Sequence, residues 1–526
     1  MRKTAAILIL GLVTVLFVPS PVTAAEPAGD RGHSTQDSTH VLKPDLAALA
    51  DEGRWLELLA AASEAAGKDS SDPVALAHLL RAMRMLGETD AALTRADEAA
   101  ARFPDDARIL IERAWIHSFR GGWQQALSDA RRASQIDPEL YDALLVQGIA
   151  CREMRDWDNT VAIFSKALAL RPDDPAAWLN RGRAHVEKGM LREGLADLDK
   201  SISLDGKSAE AFFHRGRAYA GSGALADAAK DFTAAIMLSP EAIAPYIARA
   251  EVLSRGGQWE AAARDAYTAI TLGSIDTRPF ITGCQASIAL GDFEALGQYA
   301  AGGSEIDPGN PDFHRFAGRA YREKGELERA LEAYDQAVEL APRDAGALLD
   351  RAMTCIMLGR YSQAADDCTA SLTAKLSSTA YALRAFARLK EGSLDAALED
   401  STNALTLEPD EVTALLVRAN IALQKGRIED ALSDSRKGLK LDPGQPWSYV
   451  TYGSALTGDG RLEEGLEVLD QALEMAPGDS EALLARGRCL AGLGRADDAA
   501  KDFEKAAADP FFKKAAMEEL GKLRAH

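Results

Sequence analysis

Cysteine is scarce in this chain: five in 526 residues, at Cys151, Cys284, Cys355, Cys368 and Cys489, all far apart. An odd and scattered set cannot form a disulfide scaffold, so apolar packing has to hold the fold. Histidine is equally sparse, and none of the eight His or five Cys falls into a C-x-x-C or H-E-x-x-H spacing. No metal site and no cofactor is therefore expected. Catalytic signatures are missing too: there is no Ser/His/Asp or Cys/His arrangement and no glycine-rich phosphate loop, which points away from an enzyme. Excess positive charge is absent, with 60 basic against 80 acidic residues and a formal charge of −20. That balance repels phosphate and argues against nucleic acid or an anionic membrane as partner. No apolar run beyond the first residues is long enough to span a bilayer.

The start has a pattern of its own. Met1-Arg2-Lys3 precedes an apolar run from Ala5 to Val18 and then the small-residue stretch Pro19 to Ala24. Residues 1–24 are expected to be a secretory signal peptide, and the run is too short for a membrane anchor. An exported protein follows from this, periplasmic or secreted and bacterial in style. Residues 25–38, polar and poor in apolar side chains, are expected to be a flexible leader.

Nine of the twenty prolines fall at regular places. Pro104, Pro138, Pro172, Pro240, Pro308, Pro342, Pro409, Pro443 and Pro477 follow a period of about 34 residues, with Gly206 and Ser274 in the skipped slots. The unit from Ala209 to Ala242 shows what repeats: Phe212 in the fourth place, Gly216 in the eighth, Tyr219 in the eleventh, Ala228 in the twentieth, Phe232 in the twenty-fourth, Ala235 in the twenty-seventh and Pro240 in the thirty-second. On these residues the sequence resembles the tetratricopeptide repeat family. The resemblance implies an all-α protein, a right-handed superhelical solenoid of antiparallel helical hairpins, about fourteen in number. Small residues at the eighth, twentieth and twenty-seventh places set the distance between helices. Gly at the fifteenth place turns the chain, and proline ends the second helix. The expected organisation is a first array of units over 39–276, a degenerate unit over 277–310, a second array over 311–512 and a capping helix over 513–526. The degenerate unit has Cys284 in the eighth place and Gly302-Gly303 in its second helix, and it reads either as a hinge or as a tolerated weak repeat.

Eight units carry Arg in the seventh place and Asp in the twenty-third: Arg113/Asp129, Arg181/Asp197, Arg215/Asp231, Arg249/Asp265, Arg351/Asp367, Arg384/Asp400, Arg418/Asp434 and Arg486/Asp502. Other units lack both together, as with Gln147 and Ile163, Ala317 and Ala333, or Tyr452 and Val468. Joint presence and absence over parallel copies of one backbone implies an Arg–carboxylate pair between the two helices. These arginines are accordingly assigned to structure rather than to ligand binding.

The resemblance also implies that first helices line a concave groove where a protein or peptide binds. Arg183, Arg217, Arg278, Arg315, Arg319 and Arg322 map to groove places. The last three share one helical face, so the expected ligand is an acidic or C-terminal peptide segment. The family's chaperone clamp has no counterpart here, and Asn180 stands alone at a sixth place where a glycosyltransferase-linked superhelix has an Asn ladder. The expected function is a non-catalytic interaction scaffold or adaptor. The alternative is a glycan- or peptidoglycan-binding envelope protein, with an enzyme accessory subunit behind it. Of the seven tryptophans only Trp115 and Trp447 map to the groove, which offers no stacking platform for a sugar. The cysteines and His117 and His185 fall at packed places and are expected to act as packing residues. Cys355 and Cys368, on the two helices of one unit, could be free thiols or a bridge, and both readings stay open.

Overall fold

The computed structural model describes residues 45–525. The expected signal peptide, the leader and the start of the first unit at Thr39 lie outside them. Within the described residues the chain is all-α, 29 helices from α1 (Leu46–Asp51) to α29 (Lys513–Ala525) in consecutive antiparallel hairpins, with no strand. It divides into two compact units between Gly257 and Gln258, in the loop joining α13 (Ile243–Arg255) to α14 (Trp259–Thr271).

One hairpin shows why these residues fold so. In α11 (Ala209–Gly221) the Ser208 hydroxyl accepts the Ala211 N–H at 3.2 Å and so caps the N-terminus. Asp45, Asp72, Asp106, Asp174, Asp344 and Asp479 do the same for other first helices. Gly223, at φ +82°, reverses the chain into α12 (Leu225–Leu238). Arg155 fills the same turn position in its own hairpin at φ 59°, the one non-glycine residue with positive φ among those described.

Packing between the two helices follows a volume rule. A Cβ on Gly216 would sit 2.7 Å from the Phe232 ring, and similar overlaps set Gly148 against Phe164, Gly318 against Tyr334 and Gly487 against Phe503. Where the eighth place is alanine, as in Ala114, Ala352, Ala385 and Ala419, the twenty-fourth holds a small residue: Ala130, Cys368, Ser401 and Ser435. Glycine thus makes room for a ring or, as Gly182 and Gly453 do for Leu198 and Leu469, a leucine, and alanine for a small side chain.

Odd-numbered helices are the first of each hairpin. Within each unit successive odd helices touch, from α1 to α13 in the first and from α17 (Pro311–Glu323) to α29 in the second, whereas no comparable contact joins even helices among the described residues. The odd helices therefore form the inner face of each unit. At the C-terminus α29 packs on α27 (Ser480–Gly492) and α28 (Ala496–Ala506), burying Ala516 and Leu520.

The residues 277–310 form a hairpin of α15 (Arg278–Leu290) and α16 (Phe293–Ile306). Their double glycine has a packing role: Gly302 faces Phe280 and Gly303 faces Phe313, whose ring would lie 2.1 Å from an added Cβ. All five cysteines are free and buried. Cys355 and Cys368 share one core cluster, and burial pushes their thiols up to about 11 and about 12, which keeps them protonated.

Gly303→Ala is expected to lower stability by about 1–3 kcal/mol, because the fully buried Phe313 ring cannot swing away. Gly297→Ala on the same helix, where an added Cβ meets its nearest neighbour at 3.7 Å, is expected to gain up to about 1 kcal/mol of helix propensity. Urea melts followed by circular dichroism distinguish the two.

Candidate functional site

The arginines divide into those already engaged and those that are not. Seven of the expected pairs, at Arg113, Arg181, Arg215, Arg351, Arg384, Arg418 and Arg486, are bidentate. Nε and Nη2 donate to the two carboxylate oxygens of Asp129, Asp197, Asp231, Asp367, Asp400, Asp434 and Asp502 at 2.6 to 2.9 Å. The carboxylates are mostly buried, Asp231 to 6% exposed. Of the eighth pair, Arg249 belongs to the first unit, where it also donates to Thr233 Oγ1 at 2.9 Å, and Asp265 is buried on α14 in the second.

A further bond was not read from the sequence. The remaining guanidinium nitrogen, Nη1, reaches back to the preceding hairpin: Arg113 to Asp97 at 3.2 Å, Arg215 to Asp199 at 2.7 Å, Arg351 to Asp335 at 2.8 Å and Arg486 to Asp470 at 2.7 Å. Ser165 and Thr369 take that role for Arg181 and Arg384. The signal was present as a recurring Asp, Ser or Thr at the twenty-fifth place of the preceding unit. Two hairpins without the pair keep a link by other means. Gln147 donates to Ala130 O at 3.2 Å and Ser134 Oγ at 2.6 Å, and Arg436 donates to Tyr452 Oη at 3.3 Å. His185 also joins the ladder, its Nδ1 2.9 Å from Asp197 Oδ2.

On the inner face most candidate groove arginines have carboxylate partners. Arg183 lies 3.3 Å from Glu210, Arg217 2.5 Å from Glu187 and Arg278 2.6 Å from Asp276. Arg315 donates to Asp350 at 3.0 Å and to Asp344 at 3.3 Å, and Arg322 lies 3.4 Å from Glu323 and 3.8 Å from Asp350. Arg319 is exposed and makes no ion pair or hydrogen bond among the described residues. The structure brings Arg315, Arg319 and Arg322 onto one face of α17, with Arg319 the free cation. In the next hairpin Met353 and Met357, 38% and 53% exposed, occupy inner-face places on α19 (Ala345–Met357).

The tetratricopeptide repeat family profile matches residues 145–198, 179–246, 316–378, 383–446 and 453–511, more than half of the chain. The chain belongs to the tetratricopeptide repeat family. A curated relative, the SGT1 homolog of Bos taurus, is 32% identical over 96 residues, 18% of this chain and 28% of that relative's own length. Among solved structures, the Cut9–Hcn1 hetero-tetramer of the APC/C matches 85% of this chain and 95% of its own at 12% identity and a TM-score of 0.41. YrrB, described as a tetratricopeptide protein with an unusual peptide-binding site, matches 35% of this chain and 95% of its own at 27% identity and a TM-score of 0.33. PilF of Pseudomonas aeruginosa matches 40% and 97% at 18% identity and 0.37.

Tetratricopeptide proteins bind proteins or peptides, and the family is typically non-catalytic. Among the described residues no group of three or more His, Cys, Asp or Glu is placed to hold a metal, and no helix is long and apolar enough to cross a membrane. Trp447 is committed to contacts within the array: its ring meets Phe386 edge to face at 5.1 Å and its Nε1 donates to Glu481 at 3.3 Å. Arg84 stacks over Trp115 at 5.6 Å while pairing with Glu112 at 3.1 Å.

His214, in the first unit of this tetratricopeptide array, is 5% exposed. Its Nε2 lies 3.7 Å from Glu210 and its Nδ1 has no hydrogen-bond partner among the described residues. Burial holds it below the usual histidine range; Glu210 opposes the shift, and Arg183 and Arg217 add to it.

Arg215→Ala is expected to cost about 3 kcal/mol or more, because it strands the buried Asp231 carboxylate, and the double change Arg215→Met with Asp231→Leu far less. Equal losses by urea denaturation would refute the pairing. A second expectation concerns pH. Below about 6.5 the unfolded His214 takes up a proton that the folded one refuses, so stability of the first unit falls as pH drops. His78 and His117 lean the same way. Urea midpoints between pH 7 and pH 5 should therefore decline, and His214→Gln should flatten part of that decline.

Proposed function

We propose that the chain is a non-catalytic interaction scaffold whose inner face holds a peptide segment of a partner protein, with the site in the second unit at α17 and α19. The observation that carries this reading is that the exposed Met353 and Met357 of α19 stand on the inner-face helix next to that of Arg319, a cation left without an ion-pair partner among the described residues in a chain that engages most of its groove arginines. Methionine side chains are flexible and polarizable and suit a surface that adapts to peptide side chains. An unpaired guanidinium selects a carboxylate, either an acidic side chain or a chain terminus. Arg315 and Arg322, already engaged by Asp350, hold the helix face in place and leave recognition to Arg319. The setting of this activity, periplasmic or secreted, rests on the Met1–Ala24 pattern alone.

A photo-crosslinking residue placed at Met353 or Met357 is expected to yield one dominant adduct in native extracts, lost in Arg319→Glu. The same residue at Tyr267, 62% exposed on the even helix α14, should give none. Equal adducts at both places, or adducts unchanged by Arg319→Glu, would overturn the assignment.

A further inference from the structure

In a helical repeat array each hairpin touches only its neighbours. The second unit breaks that rule at one place on its inner face. Lys390 Nζ donates to Glu481 Oε2 at 2.7 Å, past two intervening hairpins. Phe386, one turn before Lys390 on α21 (Ser378–Lys390), meets Trp447 of α25 (Pro446–Gly458) edge to face at 5.1 Å. Onto this assembly comes the Asp509–Phe512 turn between α28 and α29. The Lys390 ammonium lies 5.4 Å from the Phe386 ring and 5.6 Å from each of the Phe511 and Phe512 rings, and Phe511 reaches Tyr361 at 6.3 Å.

Three features set this place apart from ordinary core. Its occupant arrives on a turn rather than on a repeat helix, and the turn is preformed by Pro510 and by the Phe511 N–H donating to Asp509 Oδ1 at 2.8 Å. Phe511 remains 52% exposed although it is ringed by contacts, as a docked side chain is rather than a core one. The seat is polar and oriented: an ammonium with a side-chain exposure of 12% is held between aromatic faces and a carboxylate, where the attraction of cation for ring is strengthened by loss of water.

We propose that Phe386, Lys390, Trp447 and Glu481 form a binding site for a peptide carrying two adjacent aromatic side chains, and that the chain's own Asp509–Phe512 turn occupies it as an internal competitor. The proposal deepens the peptide-binding reading above and rests on it for the class of partner. The site itself lies apart from Arg319. An external peptide meets a seat that is vacant only part of the time, so its apparent affinity is reduced by that fraction. A partner whose aromatic pair fits better displaces the turn and frees Phe511 and Phe512.

The test uses the full chain and a fluorescent peptide of residues 507–514, with a control peptide in which both Phe are Ser. In the variant Phe511→Ala with Phe512→Leu, which vacates the seat yet keeps an apolar side chain against α29, the peptide should bind at least about 10-fold tighter than to the wild-type chain by anisotropy. Adding Trp447→Leu should remove the gain. Binding no tighter than wild type in a variant that keeps its helical circular dichroism, or a gain indifferent to Trp447→Leu, would overturn the proposal. In the wild-type chain, peptide at saturation should speed amide exchange over 509–514, and unchanged exchange there would overturn it independently of any variant. Binding of this peptide retained in Arg319→Glu, with crosslinks at Met353 absent, would remove the functional site at α17 and leave the aromatic seat standing.

Discussion

A guanidinium offers a planar fork of donors, and the repeating arginine of this chain uses it in two directions. One edge closes on the aspartate of its own second helix, and Nη1 reaches the second helix before it. A single side chain thus ties three helices, and it does so in hairpin after hairpin. Replacing such a pair by apolar residues need not lose stability, so its value is one of register: only one sliding position of helix on helix places a carboxylate against both edges of the fork. Interfaces lined by alanine need a device of that kind most, since small apolar side chains pack almost equally well when shifted by a turn.

The inner face follows from this. With the seventh-place arginines pointed between helices, the groove inherits the remaining charged side chains, and most of these find partners across the hairpin boundary, as Arg183 finds Glu210 and Arg217 finds Glu187. The groove is therefore a surface of local ion pairs, interrupted where a cation has no carboxylate within reach or where apolar side chains come to the surface. The proposed peptide site lies at such an interruption, in keeping with the modest return from a solvent-screened pair.

Much of the hairpin architecture was legible in the sequence because it depends on residues whose spacing is fixed by one period: the prolines, the turn glycines and the Arg–Asp offset. The link from Arg215 back to Asp199 was equally periodic and went unread, because it joins a position in one unit to a position in the unit before. The pairing of Gly216 with Phe232, against Ala352 with Cys368, was likewise visible only when two places are compared across units. Gly302 and Gly303 looked like helix weakness and serve as clearance for Phe280 and Phe313. The partners of the groove arginines, Glu187, Glu210 and Asp350, depend on how one hairpin is rotated on the next, which no periodicity encodes. The meeting of Phe511 with Tyr361 lies furthest from the sequence, for it depends on the curvature accumulated over several hairpins.

That last meeting also changes how the end of the array comes apart. A linear stack frays from its termini, each outer hairpin leaving with little effect on the next, because coupling is only between neighbours. Here the Phe511 turn is fastened to Tyr361 and Lys390, several hairpins inward, and Lys390 is fastened in turn to Glu481. The C-terminal hairpins are closed into a loop, so under mechanical load they resist as one body and then yield together, where an open stack would unzip in steps.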